Sequence, residues 1–149
     1  MTAAAVAAAM WAEDNASRGL GMTLDHAAEG RAVLSMAVTE AMVNGHGICH
    51  GGFIFALADS AFAFACNWTD ERTVAAHCAI TYLRPARLGM RLTAEAVETA
   101  RVGRSGVTDV TVRDETGAVI ALFRGQSRTI GGRITQGEDS AMPRAEGGA

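Results

Sequence analysis

Aromatic residues are scarce in this chain of 149 residues, which contains five Phe, two Trp and one Tyr. A hydrophobic core must therefore be built mainly from alanine and larger aliphatic side chains. Cysteine is also scarce. The three Cys include no CxxC pair, so they make no disulfide framework and suit a reducing compartment. With 49% apolar and 19% charged residues, the composition is that of an ordinary globular protein, and the length fits one domain.

The sequence also lacks clustered basic charge and a long apolar run. Its net charge of −3 argues against nucleic acid as a partner, because phosphate backbones need clustered Lys and Arg. The apolar run from Gly52 to Cys66 contains Asp59 and is shorter than the roughly 20 residues of a membrane span. No Lys or Arg precedes the apolar segment Met1 to Met10, so it makes a poor signal peptide. We expect a cytoplasmic protein that binds neither membranes nor nucleic acid.

The most informative stretch is NGHGICHGGFIFALADSAFAFACN, which runs from Asn44 to Asn67. Its first part holds four glycines, each costing about 1 kcal/mol relative to alanine in a helix, and predicts a loop. Its second part is apolar except for Asp59 and Ser60 and is long enough for a helix. At helical spacing one face carries Gly52, Phe55, Ala56, Asp59, Phe62, Ala63 and Cys66, and the opposite face carries Ile54, Leu57, Ala58, Ala61 and Ala65.

A helix that is apolar on both faces is expected to be wrapped by protein. Asp59 would then lie about two turns inside a buried helix, where an unpaired carboxylate is costly. Such a carboxylate is retained where another group pairs with it or where the protein uses it. Asp59 is therefore the first candidate for a functional residue.

The rest of the chain predicts one helix before this stretch and several strands around it. Residues 3–15 form the predicted helix, and residues 40–52 form the glycine-rich loop. A domain over residues 1–135 is followed by a polar tail, 136–149, that we expect to be disordered. Antiparallel strands that wrap one helix give an α+β fold. The predicted strands are 31–39, 74–83, 91–100, 106–114 and 118–129.

The stretch from Asn44 to Asn67 closely resembles the signature of the hotdog-fold acyl-CoA thioesterases of the phenylacetate-degradation (PaaI) type. The later segments ITYLRPARLGMRLTAEA and ALFRGQSRTIGGRIT are similar to the same family, so the resemblance covers roughly residues 10–135. It implies a curved antiparallel sheet around the central helix and a dimer whose two sheets join edge to edge. It also implies active sites at the dimer interface, a tetramer built as a dimer of dimers, and no cofactor besides the coenzyme A of the substrate.

Asp59 and Gly51 are the main catalytic candidates. If Asp59 has only a structural role, its carboxylate hydrogen-bonds a neighbouring element. The resemblance implies instead that it acts on the thioester carbon. It would do so as general base on a water or as nucleophile through an anhydride, and the sequence leaves both open. Gly51 could serve close backbone packing, or its N–H at the positive helix start could bind the thioester oxygen. The resemblance assigns this oxyanion role to Gly51.

Asn44 and His50 flank these two residues. Asn44 could be a turn residue, and His50 could satisfy the backbone of the loop. The resemblance places Asn44 beside the attacking water or carboxylate, and His50 near the thioester as an orienting group. His46, Cys49 and His50 raise the question of a metal, but the glycines prevent helical spacing and no second ligand pair is evident, so none is expected.

Several arginines could bind the phosphates of coenzyme A, or could equally be solvated strand ends. No Walker or Rossmann glycine pattern is present. The candidates are Arg84, Arg87, Arg101 and Arg104. The resemblance assigns coenzyme A binding to the segments Arg84-Pro85-Ala86-Arg87 and Gly103-Arg104-Ser105.

The sequence therefore predicts a thioesterase that hydrolyses aryl- or hydroxyphenylacetyl-CoA-type thioesters to the free acid and coenzyme A. Two alternatives stay open because a fold does not fix a function. A hydratase or dehydratase would act on the acyl chain and leave the thioester intact. A non-catalytic sensor would bind acyl-CoA without releasing a thiol.

Overall fold

The computed structural model describes residues 1–136, and the chain begins with two short helices. These are α1 (Ala3–Glu13) and α2 (Asn15–Gly19). The sequence predicted a single helix over residues 3–15, but the structure divides it at Asp14. The Asp14 carboxylate accepts a hydrogen bond from the Ser17 N–H at 2.9 Å and so caps α2. The predicted tail lies outside the described residues, apart from Gln136.

Six antiparallel strands form one sheet in the order β1-β2-β4-β5-β6-β3. Five of them follow the predicted strands, and the sheet with its long helix confirms the α+β fold. The sequence analysis missed β1, because TLDHAA shows no alternation of apolar and polar residues. The strands are β1 (Thr23–Ala28), β2 (Arg31–Ala37), β3 (Glu71–Tyr82), β4 (Arg91–Val102), β5 (Ser105–Arg113) and β6 (Val119–Arg133).

Strand β3 lies at one edge of this sheet. It pairs with β6, so that Glu71 lies opposite Arg133 and Tyr82 lies opposite Ala121. The other side of β3 has no neighbouring strand within residues 1–136. Because an edge strand presents unpaired N–H and C=O groups, this side of β3 can pair with another strand.

Helix α3 (Gly51–Cys66) packs across β2, β4 and β5 and supplies more buried core residues than any other described element. Its buried side chains include Leu57 and Phe62. The Phe62 ring lies 2.7 Å from where a Cβ on residue 125 would stand, so Gly125 of β6 leaves the room that this ring occupies. The side of α3 that carries Asp59 is only half-buried in the single chain. One chain thus covers one side of the helix, whereas the sequence predicted cover on both faces.

The carboxyl end of α3 is fixed by a polar network. Arg101 of β4 donates to the Cys66 carbonyl at 2.6 Å and forms an ion pair with Glu98 at 2.9 Å. The Trp68 indole also donates to Glu98, at 3.3 Å. The Glu98 side chain is 6% exposed, so this network is largely removed from water.

Asn67 completes the same end of the helix. Its side-chain amide donates to the Ala63 carbonyl at 2.8 Å and to the Thr73 carbonyl at 3.1 Å. Its side-chain oxygen accepts the Thr73 N–H at 2.9 Å. The last turn of α3 and the start of β3 are therefore held together by one buried side chain.

Candidate active site at the start and middle of helix α3

The first backbone N–H groups of α3 are not all bonded within residues 1–136. His50 caps the helix, since its Nδ1 accepts the Gly52 N–H at 3.1 Å and its carbonyl accepts the Phe53 N–H at 3.0 Å. Among the described residues the Gly51 N–H has no hydrogen-bond partner. Amides at a helix start carry partial positive charge, so this N–H can bind an oxygen that gains negative charge.

Tyr82, which the sequence analysis did not single out, lies directly against Gly51. Its hydroxyl donates to the Gly51 carbonyl at 2.8 Å. Atoms of its phenol group lie 2.9 Å from where a Cβ on residue 51 would stand. Burial raises the pKa of the Tyr82 phenol, which keeps it protonated as a donor. One signal could have found it, because Tyr82 is the chain's single tyrosine and strand alternation places it on the same face as Ile80.

Gly51 and Tyr82 share a cavity of about 500 Å³. The predicted coenzyme A residues Arg84 and Pro85 line the same cavity, so the structure brings this segment to the helix start. Most of the lining is apolar and could receive an acyl group. The lining consists of Ile48, Cys49, Gly51, Ile54, Tyr82, Leu83, Arg84, Pro85 and Ala86.

Asn44 and His50 both serve the loop that precedes α3. The Asn44 side-chain oxygen accepts the N–H groups of His46 at 2.9 Å and Ile48 at 3.2 Å. Because Nδ1 of His50 accepts a hydrogen bond, the proton of its neutral ring lies on Nε2. Both residues are exposed, so the Asn44 amide NH₂ and the His50 Nε2–H remain accessible to a ligand.

Asp59 lies in the middle of α3, on its half-buried side. Burial raises the pKa of its carboxyl group. No Arg or His forms an ion pair with it within residues 1–136, and its recorded polar neighbour is the Cys78 thiol of β3, with Sγ 4.0 Å from Oδ1. Burial and the nearby Asp59 charge raise the pKa of Cys78, so this neighbour is a neutral thiol. A carboxylate without a cation partner and with a raised pKa is a stronger base than an ordinary aspartate.

Two pairs of predicted residues are separated within one chain. Gly51 and Asp59 lie two turns apart on α3, a separation of about 12 Å at 1.5 Å per residue. The segment from Arg84 to Arg87 precedes β4, whereas the Gly103-Arg104-Ser105 turn follows it. Opposite ends of such a strand lie about 40 Å apart. One chain therefore does not bring either pair together.

The arginines proposed for phosphate binding are engaged to different degrees. Arg84 donates to the Val119 carbonyl at 2.9 Å, which anchors its side chain beside the cavity. The backbone of Arg87 forms an isolated bridge with Ile48 and so joins the helix-start loop. Arg104 is exposed at the β4–β5 turn. Arg101 instead belongs to the network at the carboxyl end of α3, so its phosphate-binding role is not supported.

Within the described part of the chain, no three His, Cys, Asp or Glu side chains are grouped so as to hold a metal ion. In the same part of the chain, no helix is both long enough and apolar enough to cross a membrane.

Comparison with known proteins shows which family this chain is similar to. A family model described as the Thioesterase superfamily matches residues 46–121. The acyl-coenzyme A thioesterase PaaI of Escherichia coli strain K12 is 44% identical over 127 residues, which cover 85% of this chain and 91% of the relative. A putative esterase of Deinococcus radiodurans is 46% identical over 108 residues, 71% of this chain and 73% of the relative.

A solved structure gives the same answer. The E. coli PaaI protein from the phenylacetic acid degradation operon superposes with a TM-score of 0.86 at 43% identity, covering 88% of this chain and 95% of that one. The protein has one antiparallel sheet packed on a long helix, and it superposes on this structure. It is therefore a hotdog-fold protein. The chain belongs to the thioesterase superfamily, which confirms the family that the sequence resembles.

Proposed function

We propose that this protein hydrolyses acyl-CoA thioesters to the free acid and coenzyme A. The observation that carries the proposal is the Gly51 N–H, which has no partner among residues 1–136 and belongs to a residue that lines a largely apolar cavity. Such a donor suits a thioester oxygen, and the cavity suits the acyl group beside it. The 44% identity to a relative named as an acyl-coenzyme A thioesterase supports coenzyme A as the leaving group.

In the proposed reaction the Gly51 N–H binds the thioester carbonyl oxygen. As a nucleophile attacks the carbon, negative charge develops on that oxygen, and one such donor contributes about 3 kcal/mol. Asp59 either takes a proton from an attacking water or attacks the carbon itself to give an anhydride that water hydrolyses. In both routes the C–S bond breaks, and the coenzyme A thiolate leaves and takes up a proton. We assign the Asn44 amide to the water or carboxylate and the His50 Nε2–H to the thioester carbonyl.

Two copies of the chain are needed to assemble this site. Because Gly51 and Asp59 of one copy lie about 12 Å apart, they cannot act on the same carbonyl group. A twofold axis can place the α3 start of one copy beside the α3 middle of another. The half-buried Asp59 side and the open edge of β3 support a dimer, and we propose a tetramer formed from two such dimers.

The same arrangement would complete the coenzyme A site. Arg84, Pro85 and Arg87 of one copy would meet the Gly103-Arg104-Ser105 turn of the second copy, because one chain holds these segments at opposite ends of β4. Arginine guanidinium groups from both sides could then bind the phosphates of the nucleotide.

For the acyl group we propose an aryl- or hydroxyphenylacetyl moiety. The ring of Tyr82 and the aliphatic side chains around it give the cavity a flat apolar wall against which an aromatic ring can pack. The source of the structural match, a phenylacetic acid degradation operon, supports the same substrate class.

A thiol-release assay with aryl-acetyl-CoA and short aliphatic acyl-CoA esters tests this function. We expect free coenzyme A from the wild type and a loss of at least about 100-fold in Asp59→Asn, which keeps the shape but cannot act as base or nucleophile. Ser60→Ala is the matched control on the same helix turn. Hydrolysis by Asp59→Asn within about threefold of wild type would contradict the role of Asp59. Binding of acyl-CoA without thiol release would indicate a sensor. A changed acyl chain on an intact thioester would indicate a hydratase or dehydratase.

Mixing two inactive variants tests the shared site in the same assay. Asp59→Asn and Asn44→Ala chains that are refolded together should form mixed dimers in which one site carries both lesions and the other carries neither. Recovery of part of the wild-type rate is expected. If the rate stays at the level of the separate variants despite demonstrated subunit exchange, the site does not span two chains.

A further inference from the structure

Tyr82 and Gly51 fit each other in a way that the proposed chemistry does not require. The Tyr82 hydroxyl donates to the Gly51 carbonyl at 2.8 Å, and its phenol atoms occupy the place of a side chain at residue 51. Gly52, by contrast, has only the His50 ring near its own missing side chain, at 3.2 Å. A strand residue thus contacts the helix start at Gly51, the residue whose N–H has no partner among residues 1–136.

This contact has a mechanical consequence for the Gly51 N–H. Two successive glycines start α3, and glycine has more backbone freedom than any other residue. The Gly51 N–H has no partner among residues 1–136, and it lies in the same peptide plane as the His50 carbonyl, which accepts the Phe53 N–H at 3.0 Å. The Tyr82 hydroxyl holds the Gly51 carbonyl, which lies in the next peptide plane, and so limits rotation at the Gly51 Cα between the two planes. Strand β3 holds Tyr82 in turn through its pairing with Ala121 of β6.

Glycine at residue 51 also has a second explanation. Close approach of a ligand to the backbone would require it, but so would the ring of Tyr82. The geometry favours the ring, because a Cβ on residue 51 would lie 2.9 Å from two Tyr82 atoms without any ligand beside it. Relief of that contact would move the hydroxyl away from the carbonyl.

We propose that Tyr82 is a positioning residue that orients the Gly51 N–H, and that residue 51 is glycine because the Tyr82 ring occupies the space of a side chain. The first half rests on the proposed function, since it gives the orientation a use. The second half concerns packing alone.

Tyr82→Phe removes the hydroxyl and keeps the ring. We expect kcat to fall about threefold to tenfold, the loss typical of one hydrogen bond, with KM within about twofold of wild type. NMR order parameters of the Gly51 amide, measured without substrate, should fall in Tyr82→Phe. The control is Thr81→Val, which faces the other side of β3 and should change neither readout. An unchanged Gly51 order parameter together with an unchanged kcat overturns the positioning role.

A double-mutant cycle tests the fit between the two residues. Gly51→Ala should lower the Tm when Tyr82 is present and should leave the Tm unchanged or raise it in the Tyr82→Ala background, where alanine only stiffens the helix start. An equal loss of Tm in both backgrounds overturns the packing explanation. Both the Tm and the order parameter are measured without substrate, so a wild type that lacks thioesterase activity would refute the proposed function and leave these outcomes readable.

Discussion

The two ends of helix α3 differ in how their backbone N–H and C=O groups are hydrogen-bonded. At the carboxyl end Arg101 and Asn67 donate to helix carbonyls, and the network around them is largely buried. At the amino end His50 accepts one N–H from an exposed position, and the Gly51 N–H is left without a partner among residues 1–136. Both ends begin with the same deficit, because a helix cannot bond its own first N–H groups or its last carbonyls.

The contrast separates stability from function along one helix. A buried backbone group without a partner is costly, so the carboxyl end, which packs into the protein, is satisfied by side chains. An open end next to a cavity costs less, because water can bond it until a ligand replaces the water. We therefore expect changes at the carboxyl end to alter folding first and changes at the amino end to alter turnover first.

The largest expected effect comes from Arg101→Ala, which breaks the polar network at the carboxyl end of α3. This change leaves Glu98, whose side chain is 6% exposed, without its cation, and a broken buried pair costs about 3–5 kcal/mol. Thermal unfolding should show a Tm lower by roughly 10 °C, while the kcat of the folded fraction stays near wild type.

The control for that change is an ion pair on the outer face of the sheet. Arg124 and Asp109 have side chains that are 63% and 42% exposed, and such solvent-screened pairs contribute little to stability. If Arg101→Ala lowers the Tm no more than Arg124→Ala does, the carboxyl end of α3 does not stabilise the fold in the way described.

A smaller effect is expected from the cap at the open end. His50→Ala removes the acceptor for the Gly52 N–H, and loss of an N-cap costs about 1 kcal/mol. His50→Asn supplies another good capping oxygen and should restore the Tm. Assays of both variants then separate the cap from the orienting role: low activity in a stable His50→Asn protein supports the orienting role. Equal Tm values for wild type and His50→Ala would show that the cap is dispensable.

The smallest effect concerns Asp59 and pH. Burial raises the pKa of its carboxyl group in the folded protein, so folding favours the protonated form. That stabilisation is complete below the unfolded pKa of about 3.9 and is lost as pH rises through the higher folded value. Asp59→Asn should therefore have a slightly higher Tm than wild type at pH 7, and the difference should shrink towards pH 4. A lower Tm of the variant at pH 7 would contradict the burial argument.

Local signals in the sequence were enough to predict α3. Glycines before residue 52 and apolar residues after it fix where the helix begins, and His50 stands at the cap. Alternation likewise predicted five of the six strands. Strand β1 was missed because none of its side chains is fully buried, so its sequence carries no sustained alternation of apolar and polar residues. The split of the first helix at Asp14 depends on a cap that competes with helix continuation, and composition alone does not decide between them.

The contacts that complete the site were not predictable in this way. Tyr82 meets Gly51, and Cys78 meets Asp59, across the turn that separates α3 from β3. Such contacts depend on how the helix is placed over the sheet, and no local pattern of residues records that placement. The catalytic roles of Asn44, His50, Gly51 and Asp59 remain predictions for the assays above.

The pairing of β3 with β6 has a consequence for how the chain reaches its native state. Strand β3 emerges from the ribosome soon after α3, but its neighbour in the sheet is the last strand of all, with Glu71 opposite Arg133. Until β6 is made, β3 has no intramolecular partner and the apolar α3 lacks part of its cover. Contacts between residues so distant in sequence form slowly, and until they form the apolar surface stays exposed and prone to aggregation. We therefore expect folding to be completed only after synthesis has passed β6, and nascent chains that stop earlier to depend on chaperones.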